Sequence, residues 1–268
     1  MNKSIKYTKR CLFSLTTFLA VFIFSGCSQK FTFETSLLDL DANLKVHYKM
    51  STRALTTDSS GNGYTLTNHN AVTEAPGVFG TAADFGNPNP NRTLKIANNL
   101  GIDGGNITIA LWAKCHIAPS GDNSDYFFAY QESLNSQVRY IIRYNLDGGV
   151  LKMQLGRVAM GVADGLLYIE KDLGLDWHHF AISYNGTTCY NYIDGVLVGQ
   201  VNSSGNGVVG NSLVDAFSIG SAHATVDYMR GMVDDVWVFN RALSANEVTS
   251  LYNRFEMLNP VSNTRYNK

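Results

Sequence analysis

"HHFAISYNGTTCYNYIDGVLVGQV" (His178–Val201) decides the fold class. Three short runs of mixed apolar and polar residues are separated by Asn185-Gly186 and by Asp194-Gly195. Alternation sends successive side chains to opposite faces of a strand. Asn-Gly and Asp-Gly supply the left-handed backbone of a tight hairpin turn. The stretch therefore predicts three consecutive antiparallel strands.

The same punctuation extends in both directions. Upstream, "ITIALWAKCHI" (Ile107–Ile117) is almost wholly apolar and reads as a central strand. "LKVHYKM" (Leu44–Met50), "GYTLTNHNAVTE" (Gly63–Glu74), "RTLKIA" (Arg92–Ala97) and "SDYFFAYQES" (Ser124–Ser133) read as further strands. "SQVRYIIRYN" and "GVLKMQLGR" flank a turn at Leu146–Gly149. Downstream come "AFSIGSA" (Ala216–Ala222) and the strongly apolar strand of "GMVDDVWVFNRALSANEVTSLYN" (Gly231–Asn253). Ser244 and Glu247 match a capping box and predict a short helix over Ala245–Tyr252. Many short strands and one terminal helix give an all-β domain, a two-sheet sandwich or a barrel.

Composition agrees. Aromatic residues make up 12% of the 268, with 24 Gly and 5 Pro. The net charge of -1 provides no whole-chain field for nucleic acid, and none is expected as a partner.

The N-terminus reads as an address. Lys3, Lys6, Lys9 and Arg10 precede the apolar run Leu12–Phe24. That run is shorter than the ~20 residues of a membrane span and fits a secretory signal core. "FSGC", ending at Cys27, resembles a bacterial lipoprotein signal with Cys27 as the lipidated residue. Phe24 departs from the usual aliphatic, and Ser28 after the Cys resembles outer-membrane sorting. The expected organisation is a signal at 1–27, a tether at 28–36, one domain at 37–255 and a tail at 256–268. The expected location is export, with membrane attachment through lipid alone. Of the four cysteines, Cys115 and Cys189 lie in the domain. A disulfide between them and two buried thiols both stay open.

"DSSGNG" (Asp58–Gly63), "GTAADFG" (Gly80–Gly86), "ITIALWAK", "DWHHFAISYNGTTCYNYIDGVLVG" and the Gly231–Asn253 stretch occur in that order. Together they resemble the LamG-like (laminin-G-like) domains of the concanavalin A-like lectin/glucanase superfamily, over roughly Leu37 to Asn253. The resemblance implies an antiparallel jelly roll of two sheets, and relatives that bind carbohydrate or other surface ligands. "KMSTRAL" (Lys49–Leu55) departs from the relatives, so a loop site there is expected to differ. The resemblance also implies a structural calcium ion, with Asp234 as one ligand and Asp58 and the Gly61 carbonyl as others. Calcium takes six to eight oxygens. The alternative is that Asp234 accepts backbone N–H bonds and Asp235 faces solvent, or that Arg241 pairs with either acid instead. Alternation puts Asp234, Val236 and Val238 on one face and Asp235, Trp237 and Phe239 on the other.

No catalytic constellation is expected. A retaining glucanase needs two carboxyl groups about 5 Å apart. Glu170-Lys171-Asp172 is the nearest approach, and Leu173, Gly174 and Leu175 follow it without a partner acid. His178 and His179 are neighbours on a strand, so they point apart and cannot chelate together. "GNGVVG" (Gly205–Gly210) lacks the Lys-Ser/Thr of a phosphate loop. The candidate ligand surface is a polar strand face carrying Arg139 and Arg143, joined by Gln154, with Tyr190 and Tyr192 on a further hairpin. An ordinary solvated face is the alternative. The expected function is a non-catalytic exported module that binds carbohydrate at the cell surface. A surface adhesin with a protein partner is the alternative, and a degenerate glucanase is more remote.

Overall fold

The computed structural model describes residues 40, 42–88, 91–97, 100, 106–119, 124–132, 137–147, 150–157, 166–170, 172–202, 216–222 and 227–258. The chain divides into two units, Met1–Ser36 and Leu37–Lys268, and every described residue belongs to the second. The expected signal, the tether and Cys27 lie outside the described residues.

Fifteen strands and one helix are described. They are β1 Leu44–Tyr48, β2 Thr67–His69, β3 Thr73–Gly77, β4 Gly80–Asp84, β5 Thr93–Ala97, β6 Ile107–Cys115, β7 Ser124–Glu132, β8 Gln137–Asp147, β9 Val150–Arg157, β10 Leu166–Glu170, β11 His178–Tyr184, β12 Thr188–Ile193, β13 Val196–Asn202, β14 Ala216–Ile219, β15 Gly231–Phe239 and α1 Ala245–Leu258. They form the expected open sandwich of two antiparallel sheets. One sheet runs β13-β12-β11-β6-β15-β4-β3, with β1 also on β15; the other runs β10-β9-β8-β7-β14-β5-β2.

The His178–Val201 stretch folds as read. Its first turn is held by Asn185 Oδ1, which accepts the Thr187 and Thr188 amides at 3.1 and 2.8 Å. At its second, Asp194 and Gly195 both take positive φ, 51° and 74°. Ile193 then pairs with Val196 across a two-residue loop.

Two apolar clusters explain the layers. Val46, Ile109, Leu111, Phe180, Ile182 and Val236 of the first sheet meet Phe128, Tyr140, Ile142 and Phe217 of the second. The first sheet also buries its other face. There Ala110, Ala181, Tyr192, Trp237 and Phe239 pack with Leu243 and with Val248 and Leu251 of α1. The helix is capped as expected: Ser244 N–H donates to Glu247 Oε2 at 2.7 Å, and Glu247 N–H to Ser244 Oγ at 3.4 Å. It runs to Leu258, six residues beyond the expected end at Tyr252. Tyr252 stacks on Trp112 and lies against the Asp194-Gly195 turn. A side chain at position 195 would come within 3.0 Å of that ring, so a glycine there lets the helix dock.

The stretch Gly63–Glu74 is two strands in different sheets, not one. Asn70 and Ala71 take φ of 58°, and Asn68 brackets the turn by bonding both the N–H and the C=O of Val72. Cys115 and Cys189 are both buried thiols.

Candidate functional site

The acid pair sits where β15 changes partners. β4 pairs with Met232 and Val233; β1 pairs with Val236 through Phe239. Between them the register against β6 slips from Asp234 to Trp237, and Asp235 adopts φ of 49°. This bulge overturns strict alternation. Val236 and Val238 face the core between the sheets, whereas Asp234 sits opposite Trp112 and Asp235 bonds Trp237, both on the helix-covered side. A bulge adds one residue to one strand and re-aims the side chains around it.

The two carboxylates do different work. Asp234 Oδ2 accepts the Val78 and Phe79 amides at 2.8 and 2.9 Å, securing the turn between β3 and β4. The carboxyl packs under Gly77, where a Cβ would lie 2.6 Å from Oδ2. Asp234 Oδ1 is buried with no hydrogen-bond partner among the described residues. Burial, and next among the raising influences the charge of Asp235, pushes the Asp234 carboxyl up to about 7. Asp235 does not face solvent. Its Oδ1 lies 2.7 Å from His47 Nε2, and its Oδ2 accepts Trp237 Nε1–H at 2.8 Å and Arg254 Nη1–H at 3.3 Å. It thus joins β1, β15 and α1. Burial alone would raise the Asp235 carboxyl, but the His47 hydrogen bond and the Arg254 charge hold it below the usual range. Burial lowers His47 despite that acid, so a neutral imidazole donates to a carboxylate. Arg254 is the arginine partner; Arg241 instead pairs with Glu247 at 2.7 Å and donates to the Ala42 carbonyl.

Above this network opens a pocket of about 520 Å³, within the ~300–1,000 Å³ of small-ligand sites. Leu44, His47 and Lys49 line it from β1 and its end, Ser59, Ser60 and Asn62 from the loop that follows, and Trp237 and Arg254 from β15 and α1. The loop is fixed to the β1 edge. Asn62 Nδ2 donates to the Leu44 and Lys45 carbonyls at 2.9 and 3.0 Å, and Ser60 Oγ donates to Lys45 O at 3.1 Å. Asp58 Oδ1 accepts the His47 and Ser60 amides, and Oδ2 accepts the Tyr64 amide. Burial would raise the Asp58 carboxyl, but bonds from Ser60, His47 and Tyr64 bring it below the usual range.

The Asp58, Gly61 and Asp234 set does not fit one calcium ion. Asp58 binds amides of β1 and its own loop, and Asp234 binds amides of the β3–β4 turn. Both Asp58 oxygens and one of the two Asp234 oxygens thus accept from N–H groups rather than facing a shared oxygen cage. Among the described residues no three His, Cys, Asp or Glu side chains gather as a metal group.

The expected ligand surface separates. Arg143 and Gln154 face each other across β8 and β9, where Arg143 Nε donates to Gln154 Oε1, and Gln154 is only 2% exposed. The Arg139 side chain lies outside the described residues. Tyr190 and Tyr192 belong to the other sheet, and Tyr192 is 3% exposed in the cluster under α1. The helix removes that face from solvent, which strand alternation could not reveal. His178 bonds Asp194 through Nδ1 and the Leu173 carbonyl through Nε2. His179 is buried beside Trp112, where desolvation lowers it to about 4. Asp172 accepts the Tyr144 hydroxyl, and Glu170 is exposed near Lys152 at 3.6 Å.

The residues that sequence reading missed are His47, Lys49, Ser59, Ser60, Asn62 and Arg254. Lys49 lies in "KMSTRAL", the stretch that departs from the resemblance. Ser59, Ser60 and Asn62 lie in the quoted stretch "DSSGNG", from which only Asp58 and Gly61 were singled out, and no motif marks His47 or Arg254.

Comparison with known proteins matches residues 87–249 to the family model described as the concanavalin A-like lectin/glucanases superfamily. No curated protein matches by sequence. Among solved structures, domain 4 of AbnA, a GH43 extracellular arabinanase from Geobacillus stearothermophilus, was determined in complex with arabinotriose. It is 18% identical at a TM-score of 0.58, with 79% of this chain and 98% of that one covered. The binding domain of botulinum neurotoxin DC in complex with SialylT is 12% identical at 0.60, covering 81% of this chain and 52% of that one. The same toxin domain with rat synaptotagmin II is 12% identical at 0.55, covering 80% and 52%. The chain thus spans about half the length of the toxin binding domains.

Proposed function

Because this chain belongs to the concanavalin A-like lectin/glucanase superfamily, we propose that it is a non-catalytic module that binds saccharide in the pocket beside α1. Fold alone does not fix function. The observation that carries the reading is the pocket itself: about 520 Å³, lined by hydroxyl, amide and cationic groups on a loop bonded to β1. Such a site offers several convergent polar groups, as a hydroxyl-rich ligand requires. The saccharide complexes of the arabinanase domain and of a toxin binding domain support the ligand class.

The test is native affinity electrophoresis of the purified protein through gels holding different polysaccharides. Retardation by one of them, lost in Asn62→Ala, which unpins the pocket loop from β1 while circular dichroism shows the sheets retained, supports the reading. Migration unaffected by every polysaccharide overturns it.

A protein partner is a second reading, favoured by one observation. Val196, Leu197 and Val198 are 65%, 46% and 36% exposed on β13, an edge strand of the first sheet. Exposed apolar edges mark pairing surfaces. The synaptotagmin II complex of a toxin binding domain supports this class of ligand.

The proposed location is a bacterial membrane surface, with the lipid on Cys27. The small pair Ser25-Gly26 before that cysteine supports it. Cys27→Ser is expected to release the protein from the membrane fraction, and continued membrane association would refute the anchor.

A further inference from the structure

We infer that the ligand of this pocket is an acidic saccharide whose anionic group is held between Lys49 and Arg254. The inference rests on the saccharide reading of the pocket and adds the charge of the ligand.

Three observations carry it. Among the described residues the lining contains two cationic side chains and no carboxylate. The acids nearby are already committed: Asp58 to three backbone amides, Asp235 to His47, Trp237 and Arg254. Lys49 is exposed and has no ion-pair partner among the described residues. A pocket with that balance attracts an anion and disfavours a cation.

Second, Trp237 is not an open aromatic platform. His47 stacks on Trp237 at 3.4 Å between ring centroids, the Arg254 guanidinium lies 5.0 Å from the indole centroid, and the residue is 7% exposed. A neutral sugar that relies on stacking its C–H face on a ring finds little ring to use. Recognition falls instead to charge and to the Ser59, Ser60 and Asn62 polar groups.

Third, Arg254 is positioned in advance. It lies over both Phe79 and Trp237, and one N–H is anchored to Asp235 at 3.3 Å. A guanidinium has five N–H donors, so that anchor leaves others for a carboxylate. Holding the guanidinium in place reduces the ordering cost of binding.

The test compares matched acidic and neutral polymers, pectate and its methyl ester, alongside heparin, alginate and dextran. Wild type, Lys49→Glu and Asn62→Ala are measured at low and high salt. Lys49 is exposed, so its reversal is expected to leave the melting temperature unchanged. The expected result is binding to at least one acidic polymer. That binding weakens about tenfold or more in Lys49→Glu, as the loss of one charged hydrogen bond requires. It also weakens with salt, and the neutral counterpart does not bind. Equal binding of neutral and acidic partners, or binding indifferent to Lys49→Glu but lost in Asn62→Ala, overturns the acidic inference and leaves the saccharide reading standing. No binding to any polymer overturns both.

Discussion

Asp234 and Asp235 are neighbours with opposite electrostatic consequences. Asp234 holds its proton more tightly in the folded chain, with its carboxyl pushed up to about 7 from an ordinary 3.8. Its stabilising effect is therefore complete below 3.8 and is lost as pH rises through about 7. Asp234→Asn copies the protonated shape and removes this dependence. Thermal melts are expected to show the variant more stable than wild type at pH 8, by roughly 2–4 kcal/mol, with the gap closing toward pH 4. A gap independent of pH would contradict the assignment. Asp235 has the reverse sign. Its folded carboxyl lies below the ordinary value, so its contribution is present above 3.8 and disappears as pH falls through the lower folded value. His47, lowered by burial, adds to the acid side: protonating it in the folded chain costs stability as pH drops below 6.5. Replacing Asp235 by Ala leaves His47 Nε2–H and Trp237 Nε1–H without their acceptor and Arg254 without its counter-charge. A loss of about 3 kcal/mol or more is expected from denaturant melts, since breaking a buried pair strands its partners.

At the scale of elements, α1 is the feature that makes the first sheet a middle layer. Leu251 and Val248 lie among Trp237, Phe239, Tyr192 and Ala181. Leu251→Ala is expected to cost about 2–5 kcal/mol, measured by urea unfolding. A loss below about 1 kcal/mol would mean that the helix is not packed as described. The hairpins were legible in the sequence because a two-residue turn needs positive φ and the residues say so: Asp194-Gly195 is the example. The bulge at Asp235 was not. A period of two carries no mark of an inserted residue, and the positive φ falls on an aspartate inside an apolar run. The change of strand partner from β4 to β1 at that point is a tertiary event. The extra turns of α1 were likewise hidden, because a capping box marks where a helix begins and not where it ends. The acid pair also bears on calcium. With both Asp58 and Asp234 bonded to amides, a chelator is expected to leave the melting temperature unchanged. A fall of several degrees would show a cation site that these contacts do not account for.

For the whole molecule, the architecture follows from local pattern while the site does not. Most strands of the sandwich announce themselves one by one, although Gly63–Glu74 read as one strand is two, and β4 and β10 carried no strand signal that was read. The pocket draws on residues 44–62, on Trp237 and on Arg254, which only the assembled sheet and helix bring together. Its most telling sequence signal was negative: the departure at Lys49–Leu55 from the resembling domains. The burial of Tyr192 and Gln154 shows the complementary difficulty. A polar or aromatic residue on the outward phase of a strand is exposed only if nothing covers that sheet, and here α1 covers the Tyr192 side. The central claim is that saccharide enters the pocket beside α1. The measurement that tests it most directly is an amide and indole NMR titration of the purified protein with pectate fragments. The expected result is a saturable set of shifts confined to Lys49, Ser59, Ser60, Asn62 and the Trp237 indole N–H. Shifts centred on the Arg143 and Gln154 face of the second sheet, with these residues unmoved, would contradict it.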